Sequence, residues 1–334
     1  MNYIGSKFRL ADFIKHTIHS VAGNDLCQKV FCDLFAGTGI IGRTFKTATQ
    51  KVIANDVEYY SYVLNKNYIE NHVDIPNKQE TIDELNQFPL IEGGFIYKNY
   101  CMGGGSERQY FSDTNGRKID TIRQRIEAWK KTGKITENLY YFLLASLLES
   151  ADKLANTASV YGAFLKHLKK SAQKELVLEP AHFDVNENEH QVFNEESNVL
   201  IRNIEGDILY LDPPYNARQY GANYHMLNTI AKYDDFTPNG KTGLRKYQKS
   251  DWCRRNKVEN VFDDLLKNAK FQYVFLSYNN EGLMPMEIIK NIMSKYGRYD
   301  LVSTDYPRFK ADRDDNRSHK ASKTEEFVHI LEMR

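Results

Sequence analysis

The sequence has no excess charge of either sign, no paired cysteines and no long apolar run. Its 334 residues carry a formal net charge of +1, so an anionic partner has to be bound by local basic patches rather than by the overall charge. The four cysteines, Cys27, Cys32, Cys101 and Cys253, form no CxxC pair and no zinc-ligand spacing, and we expect them to be reduced thiols.

The sequence also lacks the segments that would direct it to a membrane. No apolar run approaches the roughly 18 residues that a membrane-spanning helix requires, and the N-terminus lacks the apolar region of a signal peptide. We therefore expect a cytoplasmic protein. Aromatic residues, in contrast, are abundant, since 22 tyrosines contribute to an aromatic content of 13%, which suits stacking surfaces as well as a core. The length suffices for one large or two ordinary domains.

The most informative stretch is residues 210–215, Tyr-Leu-Asp-Pro-Pro-Tyr. The apolar run 208–211 predicts a buried strand that ends at Asp212, and two prolines cannot continue a strand or a helix. Open α/β sheets bind ligands beyond the carboxyl ends of their strands. The Asp212 carboxylate and the Pro213 carbonyl could there accept two amino hydrogens from a planar ring that stacks on Tyr215. A strand followed by an ordinary proline turn explains the same residues.

A second predicted strand end carries a glycine loop. The apolar run 30–35 leads into Ala-Gly-Thr-Gly at 36–39, and glycines let the backbone approach a ligand closely. The next apolar run ends at Asp56, where an acid can accept hydrogen bonds from a ribose. Loop and acid together indicate an adenosine-containing cofactor. Gly42 completes a GxGxxG spacing, so a dinucleotide-binding fold stays open, as does a merely structural Asp56.

A stretch of different character separates the two parts of the α/β pattern. Residues 76–195 are polar or helical, and a helix predicted at 137–170 ends in basic residues interleaved with aromatic ones. This interleaving suits a nucleic-acid surface, although basic helices are often only solvated. We predict an α/β domain formed by residues 1–75 and 196–334, interrupted by a mainly helical insertion at 76–195.

In its motifs and their order, the chain resembles the Dam-like (alpha-group, D12 class) bacterial DNA adenine-N6 methyltransferases. The parts of that group appear here as an N-terminal cofactor motif at 2–7, a glycine loop at 33–39, the insertion, and Asp-Pro-Pro-Tyr at 212–215. The resemblance implies a Rossmann-like sheet flanked by helices, which binds S-adenosylmethionine, and an insertion that recognises the target. It extends to stand-alone modification methylases of type II restriction-modification systems, and the nearest-looking members imply CATG as the target.

The resemblance also implies roles for single residues. Asp212 and Pro213 would bind the target amino group, and Tyr215 would stack on the flipped base. In the cofactor site, Lys7 would pair with the cofactor carboxylate. The full cofactor set is Tyr3, Lys7, Asp33, Phe35, Ala36, Gly37, Thr38, Gly39, Asp56, Val57 and Asp212. We predict DNA contacts at Arg108, Gln109, Tyr110, Arg123, Tyr161, Lys166, Tyr220, Asn223, Lys246, Lys249, Lys310 and Arg313.

These residues predict a particular chemistry. An adenine amino nitrogen is a weak nucleophile because its lone pair is delocalised into the ring. Hydrogen bonds to Asp212 and to the Pro213 carbonyl would favour a pyramidal nitrogen, and the carboxylate would stabilise the positive charge that develops on it. Positioning the reacting atoms about 3–3.5 Å apart does much of the work. The target base has to be flipped out of its duplex, and no metal is required.

Other activities explain part of the pattern. A dinucleotide-dependent oxidoreductase uses the glycines and Asp56 but gives no role to residues 212–215. Methyltransferases that act on protein glutamine or on RNA usually have Asn where this chain has Asp212. Cytosine-N4 transfer needs nearly the same chemistry and stays open. The expected partners are double-stranded DNA and a cognate restriction endonuclease that acts on the same site without forming a stable complex. No membrane partner is expected.

Overall fold

The computed structural model of this chain describes residues 7–307 and 323–334. They form two compact units. The first, here called the sheet unit, comprises residues 7–72, Asn186–Gln219, 249–307 and 323–334. The second, here called the helical unit, comprises Val73–Val185 and Tyr220–Gln248.

The described residues contain helices throughout both units. The α-helices are α1 (Ala11–Ala22), α2 (Ile40–Lys46), α3 (Tyr59–Asn65), α4 (Lys78–Gln87), α5 (Phe95–Tyr100), α6 (Asp113–Lys131), α7 (Glu137–Leu154), α8 (Ser197–Leu200), α9 (Tyr220–Asn223), α10 (His225–Lys232), α11 (Val258–Asn268) and α12 (Met286–Met293). Single 3₁₀ turns lie at Lys7–Arg9, Met102–Gly104 and Asp251–Cys253, and α3 continues as a π-helical turn over Lys66–Glu70. None of the helices in the described ranges is long and apolar enough to cross a membrane.

One seven-stranded sheet organises the sheet unit. Its strands are β1 (Val30–Asp33), β2 (Lys51–Asn55), β3 (Gln191–Phe193), β4 (Gly206–Leu211), β5 (Phe271–Asn279), β6 (Gly297–Pro307) and β7 (Lys323–Met333). Their order is β3-β2-β1-β4-β5-β7-β6. The first five strands in this order are parallel to one another, whereas β7 is antiparallel to both of its neighbours. The predicted α/β class, with helices flanking a sheet, is confirmed.

The order of the strands reverses between β1 and β4, which lie side by side. The chain moves outward from β1 to β2 in one direction and from β4 to β5 in the other. The carboxyl ends of β1 and β4 therefore flank a topological switch point, where open α/β sheets bind their ligands. The sequence places Asp33 at the first of these ends and Asp212 just beyond the second.

The core of the sheet unit explains why these strands form. β1 and β4 are almost entirely buried, as their continuous apolar runs predict for strands covered on both faces. Leu209 and Leu276 on neighbouring strands belong to one cluster with Trp252 and Phe262. Burial of such side chains stabilises a fold by about 1.5–3 kcal/mol each. The strand ends are therefore held on a rigid base.

Buried isoleucines and leucines on α6 and α7 form the core of the helical unit. Both helices begin with a capping hydroxyl, since Ser112 accepts a hydrogen bond from the Asn115 N–H and Thr136 accepts one from the Leu139 N–H. Such caps satisfy backbone donors that the helix leaves free. These two helices form the centre of the helical unit.

The structure differs from the sequence prediction at three boundaries. The helix predicted at 137–170 ends at Leu154, because the Asn156 side chain instead binds the backbone carbonyls of Gln109 and Leu165. Strand β3 lies inside the predicted insertion yet pairs with β2 of the sheet. The helical unit also takes in Tyr220–Gln248, which the prediction had grouped with the α/β domain.

Candidate active site

The Asp212 carboxylate lies next to a buried lysine and a second acid. Lys7 Nζ is 3.2 Å from Asp212 Oδ1 and 3.6 Å from Glu326 Oε2. Lys7 and Glu326 are buried, and Asp212 is largely so. Glu326 comes from β7, on the far side of β5 from Asp212. Three segments that are distant in the sequence therefore bring two carboxylates and one ammonium group together.

Burial and neighbouring charges both shift the pKa values of Asp212 and Lys7. Burial raises the pKa of Asp212, Lys7 lowers it and Glu326 raises it again, so that it lies at about 6. Burial alone would lower the pKa of Lys7, but the two carboxylates raise it above its ordinary value. Lys7 is therefore a fixed cation at neutral pH, and Asp212 is ionised there and protonated below about pH 6.

Tyr215 is fixed at the end of the proline pair. Its carbonyl accepts a hydrogen bond from the Leu283 N–H at 3.0 Å. Its ring meets the Tyr278 ring edge-on, with centroids 6.4 Å apart, and Lys7 Nζ lies 5.7 Å from the Tyr215 ring centre. The ring is half-buried, so part of it can stack on a ligand.

The glycine loop adopts backbone conformations that only glycine takes easily. Gly37 and Gly39 have φ values of 53° and 78°, in the left-handed region that costs a side chain energy. A Cβ on Gly39 would also lie 2.6 Å from Asn65 Oδ1. The backbone here forms a close-fitting turn that leads directly into α2.

Polar side chains beneath the loop hold its shape. Asp56 Oδ2 accepts a hydrogen bond from the Gly37 N–H at 2.8 Å, and Asp56 Oδ1 accepts one from the Glu58 N–H at 2.9 Å. The Gly37 carbonyl accepts hydrogen bonds from Ser61 Oγ and from Asn65 Nδ2. Because an ionised carboxylate has about four acceptor positions, Asp56 retains capacity for a ligand's hydroxyl groups.

Asp33 lies at the base of the same region. Its Oδ2 accepts a hydrogen bond from the Gly42 N–H at 3.0 Å. Burial raises the pKa of Asp33 to about 8 against the lowering effect of that hydrogen bond, with Asp212 and Asp56 raising it further. Burial also raises the pKa of Asp56. A site with this many buried acids favours a ligand that carries positive charge.

The remaining residues of the predicted cofactor set occupy different environments. Phe35 is half-buried and meets the Trp252 ring edge-on at 5.0 Å, and the buried Ala36 donates its N–H to the Asn55 carbonyl. Thr38 is half-buried, whereas Val57 is exposed. Tyr3 lies outside the described residues. The structure thus brings together Asp33, the glycine loop, Asp56, Asp212 and Lys7 in the sheet unit.

Three side chains predicted to contact DNA are buried in the helical unit. Tyr110 and Tyr161 are fully buried, and each donates its hydroxyl internally, to the Tyr161 carbonyl and to Asp152 respectively. Arg123 is only 3% exposed and donates to the Ile230 and Ala231 carbonyls. The prediction that these three contact DNA is wrong, since their polar atoms already bind the protein's own fold.

Arg123 therefore gives a testable distinction between a structural and a DNA-reading role. The carbonyls that it binds lie in the last turn of α10, where a helix lacks internal donors. We expect Arg123→Met to lower the free energy of unfolding by about 2–4 kcal/mol, because buried acceptors lose their donors. The matched control is Arg125→Met on the exposed face of the same helix, which loses only a contact with the Phe88 ring and is expected to cost at most about 1 kcal/mol. Equal unfolding midpoints for the two variants in urea would contradict the structural role.

The other predicted DNA contacts are more accessible. Arg108 is half-buried and donates to the backbone carbonyls of Asn99, Gly240 and Lys241, so part of its guanidinium is already used. The rest of the described set is half-buried or exposed, namely Gln109, Lys166, Tyr220, Asn223, Lys246 and Lys249. Lys310 and Arg313 lie outside the described residues.

The sequence prediction missed Glu326, Ser61 and Asn65. Ser61 and Asn65 lie four residues apart, so one turn of α3 brings both beneath the glycine loop. That polar pair at helical spacing, just after Asp56, was the available signal. Glu326 had no comparable signal, because its contact with Lys7 depends on the position of β7 in the sheet.

Comparison with known proteins agrees with this geometry. Residues 3–292 match the D12 class of N6 adenine-specific DNA methyltransferases. The chain is 62% identical to the type II methyltransferase M.NlaIII of Neisseria lactamica, over 99% of both chains. It is 40% identical to the type II methyltransferase M.CviAII of Paramecium bursaria Chlorella virus 1, over 93% of both. It is also 38% identical to M.FokI of Planomicrobium okeanokoites, of which it spans 52%. The chain therefore belongs to the D12 class of N6 adenine-specific DNA methyltransferases.

Proposed function

We propose that this protein transfers the methyl group of S-adenosylmethionine to N6 of an adenine flipped out of duplex DNA, as the modification enzyme of a type II restriction-modification system. The observation that carries the proposal is the position of Asp212 and Tyr215 at the switch point of the sheet, beside the strand that leads into the glycine loop. A carboxylate and an aromatic face there meet the needs of an amino-bearing base.

The residues of the sheet unit fit S-adenosylmethionine. The tight turn at Gly37 and Gly39 lets backbone approach the methionine part, and Asp56 can accept hydrogen bonds from the ribose hydroxyls. The buried Asp33, whose pKa lies at about 8, would ionise as the positively charged cofactor binds next to it. When bound, the cofactor supplies an electrophilic methyl group on a sulfonium. Phe35 and Val57 offer apolar surface for the adenine ring.

Asp212 provides the electrostatic part of catalysis in this proposal. Its carboxylate accepts a hydrogen bond from the target amino group, while the Pro213 carbonyl accepts the other, and Tyr215 stacks on the ring. As the bond between the nitrogen and the methyl carbon formed, the bond from that carbon to the cofactor sulfur would break and the sulfur would leave as a neutral thioether. The ionised Asp212 would stabilise the positive charge that develops on nitrogen, and the amino group would then lose one proton to water. Because Lys7 is held as a cation, it keeps Asp212 ionised without acting as a base.

DNA binding requires a second set of residues. In the proposal the helical unit recognises the target sequence, and exposed basic side chains bind phosphates without reading bases. Gln109 is the most promising base-reading side chain, because glutamine can form two hydrogen bonds with adenine. Its side chain is only half-buried, so part of it is accessible to DNA. A restriction endonuclease of the same specificity would act on the same sites without a stable complex.

The exposed lysines at 246 and 249 provide a test of phosphate binding. We expect replacement of both lysines by glutamine to weaken binding to all duplexes alike, because each bound phosphate contributes through release of counterions. The slope of log K against log salt should become shallower by about 0.9 for each phosphate that the variant no longer binds. Fluorescence anisotropy over a series of salt concentrations measures this slope. An altered sequence preference at an unchanged slope would mean that these lysines read bases.

The proposed activity can be tested by modified-base sequencing. The gene is expressed in a host that lacks adenine methylation, and the host DNA is sequenced on a platform that detects N6-methyladenine. We expect methylation of adenine at every copy of one short sequence, for which the resemblance suggests CATG. N4-methylcytosine at a fixed sequence would favour the alternative activity, and unmodified DNA from a host with soluble protein would contradict the proposal.

A further inference from the structure

Glu326 forms part of the active site without a role in the chemistry described above. It is a buried acid on β7, two strands away from Asp212. Its Oε2 and Asp212 Oδ1 are both buried. Lys7 Nζ lies 3.6 Å from Glu326 Oε2 and 3.2 Å from Asp212 Oδ1, so one ammonium group contacts both oxygens.

Two buried carboxylates are costly unless something offsets their charge. An unpaired buried ion costs several kcal/mol, and a single lysine here serves two of them. Because both oxygens contact the same nitrogen, they lie within about 7 Å of each other. Each carboxylate therefore competes for the lysine and repels the other. Replacing buried ion pairs by apolar side chains is often neutral or stabilising, so stability alone does not account for Glu326.

We propose that Glu326 is a positioning residue for methyl transfer, which holds Lys7 between two carboxylates and so keeps Asp212 a strong hydrogen-bond acceptor. This inference rests on the proposed function of Asp212. Without Glu326, Lys7 would pair with Asp212 alone. The carboxylate would then be more fully neutralised by the lysine and less able to stabilise charge on the target nitrogen.

The other groups that face Asp212 are the same in the wild-type protein and in a Glu326 variant. Asp33 ends the neighbouring strand β1, and the buried Tyr210 lies two residues earlier on β4. Tyr215 follows the proline pair. These groups remain in place when Glu326 alone is altered, so a change in the titration of Asp212 reports on the Glu326 charge.

The test uses Glu326→Gln, which is nearly isosteric and removes the charge. The matched control is Glu325→Gln, the same change at the adjacent, exposed position. Methyl transfer to duplex DNA is measured from pH 5 to 9, and the acid limb of kcat/KM gives the midpoint for Asp212. We expect the midpoint of Glu326→Gln to fall by about 0.5 to 1.8 pH units, from Coulomb's law over this distance at effective dielectric constants of about 80 to 20. The plateau rate should fall about tenfold.

Two further measurements separate positioning from general damage. The cofactor dissociation constant of Glu326→Gln should stay within about twofold of the wild-type value. Glu326→Asp, which restores the charge at a greater distance, should return the midpoint most of the way to the wild-type value. If Glu326→Gln does not fold, Glu326→Asp carries the test, because its carboxylate lies one methylene further from Lys7 and should lower the plateau rate at an unchanged cofactor affinity.

The outcomes distinguish this inference from the proposed function. An unchanged midpoint in Glu326→Gln, whether or not the plateau rate falls, would overturn the positioning role. So would a wild-type plateau rate in Glu326→Asp if only that variant folds. If the wild-type protein and Glu325→Gln methylate adenine normally, the proposed function stands whatever Glu326→Gln does. If these two proteins do not methylate adenine, the result counts against the proposed function.

Discussion

Asp212→Ala is expected to abolish methyl transfer while the protein stays folded and binds its cofactor. The carboxylate lies beside Lys7 at the end of a rigid, buried strand, and in the proposed function it binds the target amino group. Losing one such preorganised interaction lowers kcat by about 10²–10³, or about 3–4 kcal/mol. A larger loss is expected here, because the same side chain also positions the base. Single-turnover transfer of labelled methyl groups to duplex DNA measures the effect.

The control for Asp212→Ala is Asp300→Ala, an exposed aspartate on the edge strand β6. It removes the same charge from the same unit and should leave transfer unchanged. Calorimetric titration with S-adenosylmethionine should show that Asp212→Ala weakens binding only modestly. Near-normal turnover in Asp212→Ala would show that the catalytic assignment is wrong.

Asp56→Ala is expected to act on the cofactor rather than on the methyl transfer step. Its carboxylate already accepts the N–H groups of Gly37 and Glu58 and has acceptor positions to spare for the ribose. Loss of hydrogen bonds to a charged acceptor costs about 1.5–3 kcal/mol, which corresponds to a dissociation constant about 10- to 100-fold higher. The maximal rate at saturating cofactor should change much less.

Asp74→Ala provides the matched control, since Asp74 is an exposed aspartate on the surface of the helical unit. Isothermal titration of both variants with S-adenosylmethionine separates the effects. Wild-type affinity in Asp56→Ala would leave that carboxylate with the purely structural role of holding Gly37. Asp56→Asn refines the result, because an amide can accept at only one of the two positions.

The parts of the fold that carry the site could be predicted from sequence for a physical reason. Strands β1, β4 and β5 are buried on both faces, so they appear as short continuous apolar runs. A polar residue that ends such a run lies at the carboxyl edge of the sheet, which fixes Asp33 and Asp212. Glycines at 37 and 39 are needed by the backbone itself. Local sequence therefore specifies this half of the site.

The rest depends on contacts between distant residues. Strand β6 lies at the edge of the sheet and mixes polar with apolar residues, so it gives no apolar run. The length of the helix that begins at Glu137 is decided by Asn156, which binds backbone elsewhere in the helical unit. The sequence around Arg123 is typical of a solvent-exposed basic residue, but its side chain binds a backbone carbonyl at the end of α10. Glu326 meets Lys7 only because β7 pairs with β5.

The most direct measurement of the central claim follows the methyl group itself. Wild-type protein and Asp212→Ala are incubated with S-adenosylmethionine that carries a deuterated methyl group and with an unmethylated duplex, and the digested nucleosides are analysed by mass spectrometry. We expect N6-trideuteromethyl-deoxyadenosine from the wild-type protein and none above background from the variant. A label on cytosine N4, or equal adenine labelling by both proteins, would contradict the central claim.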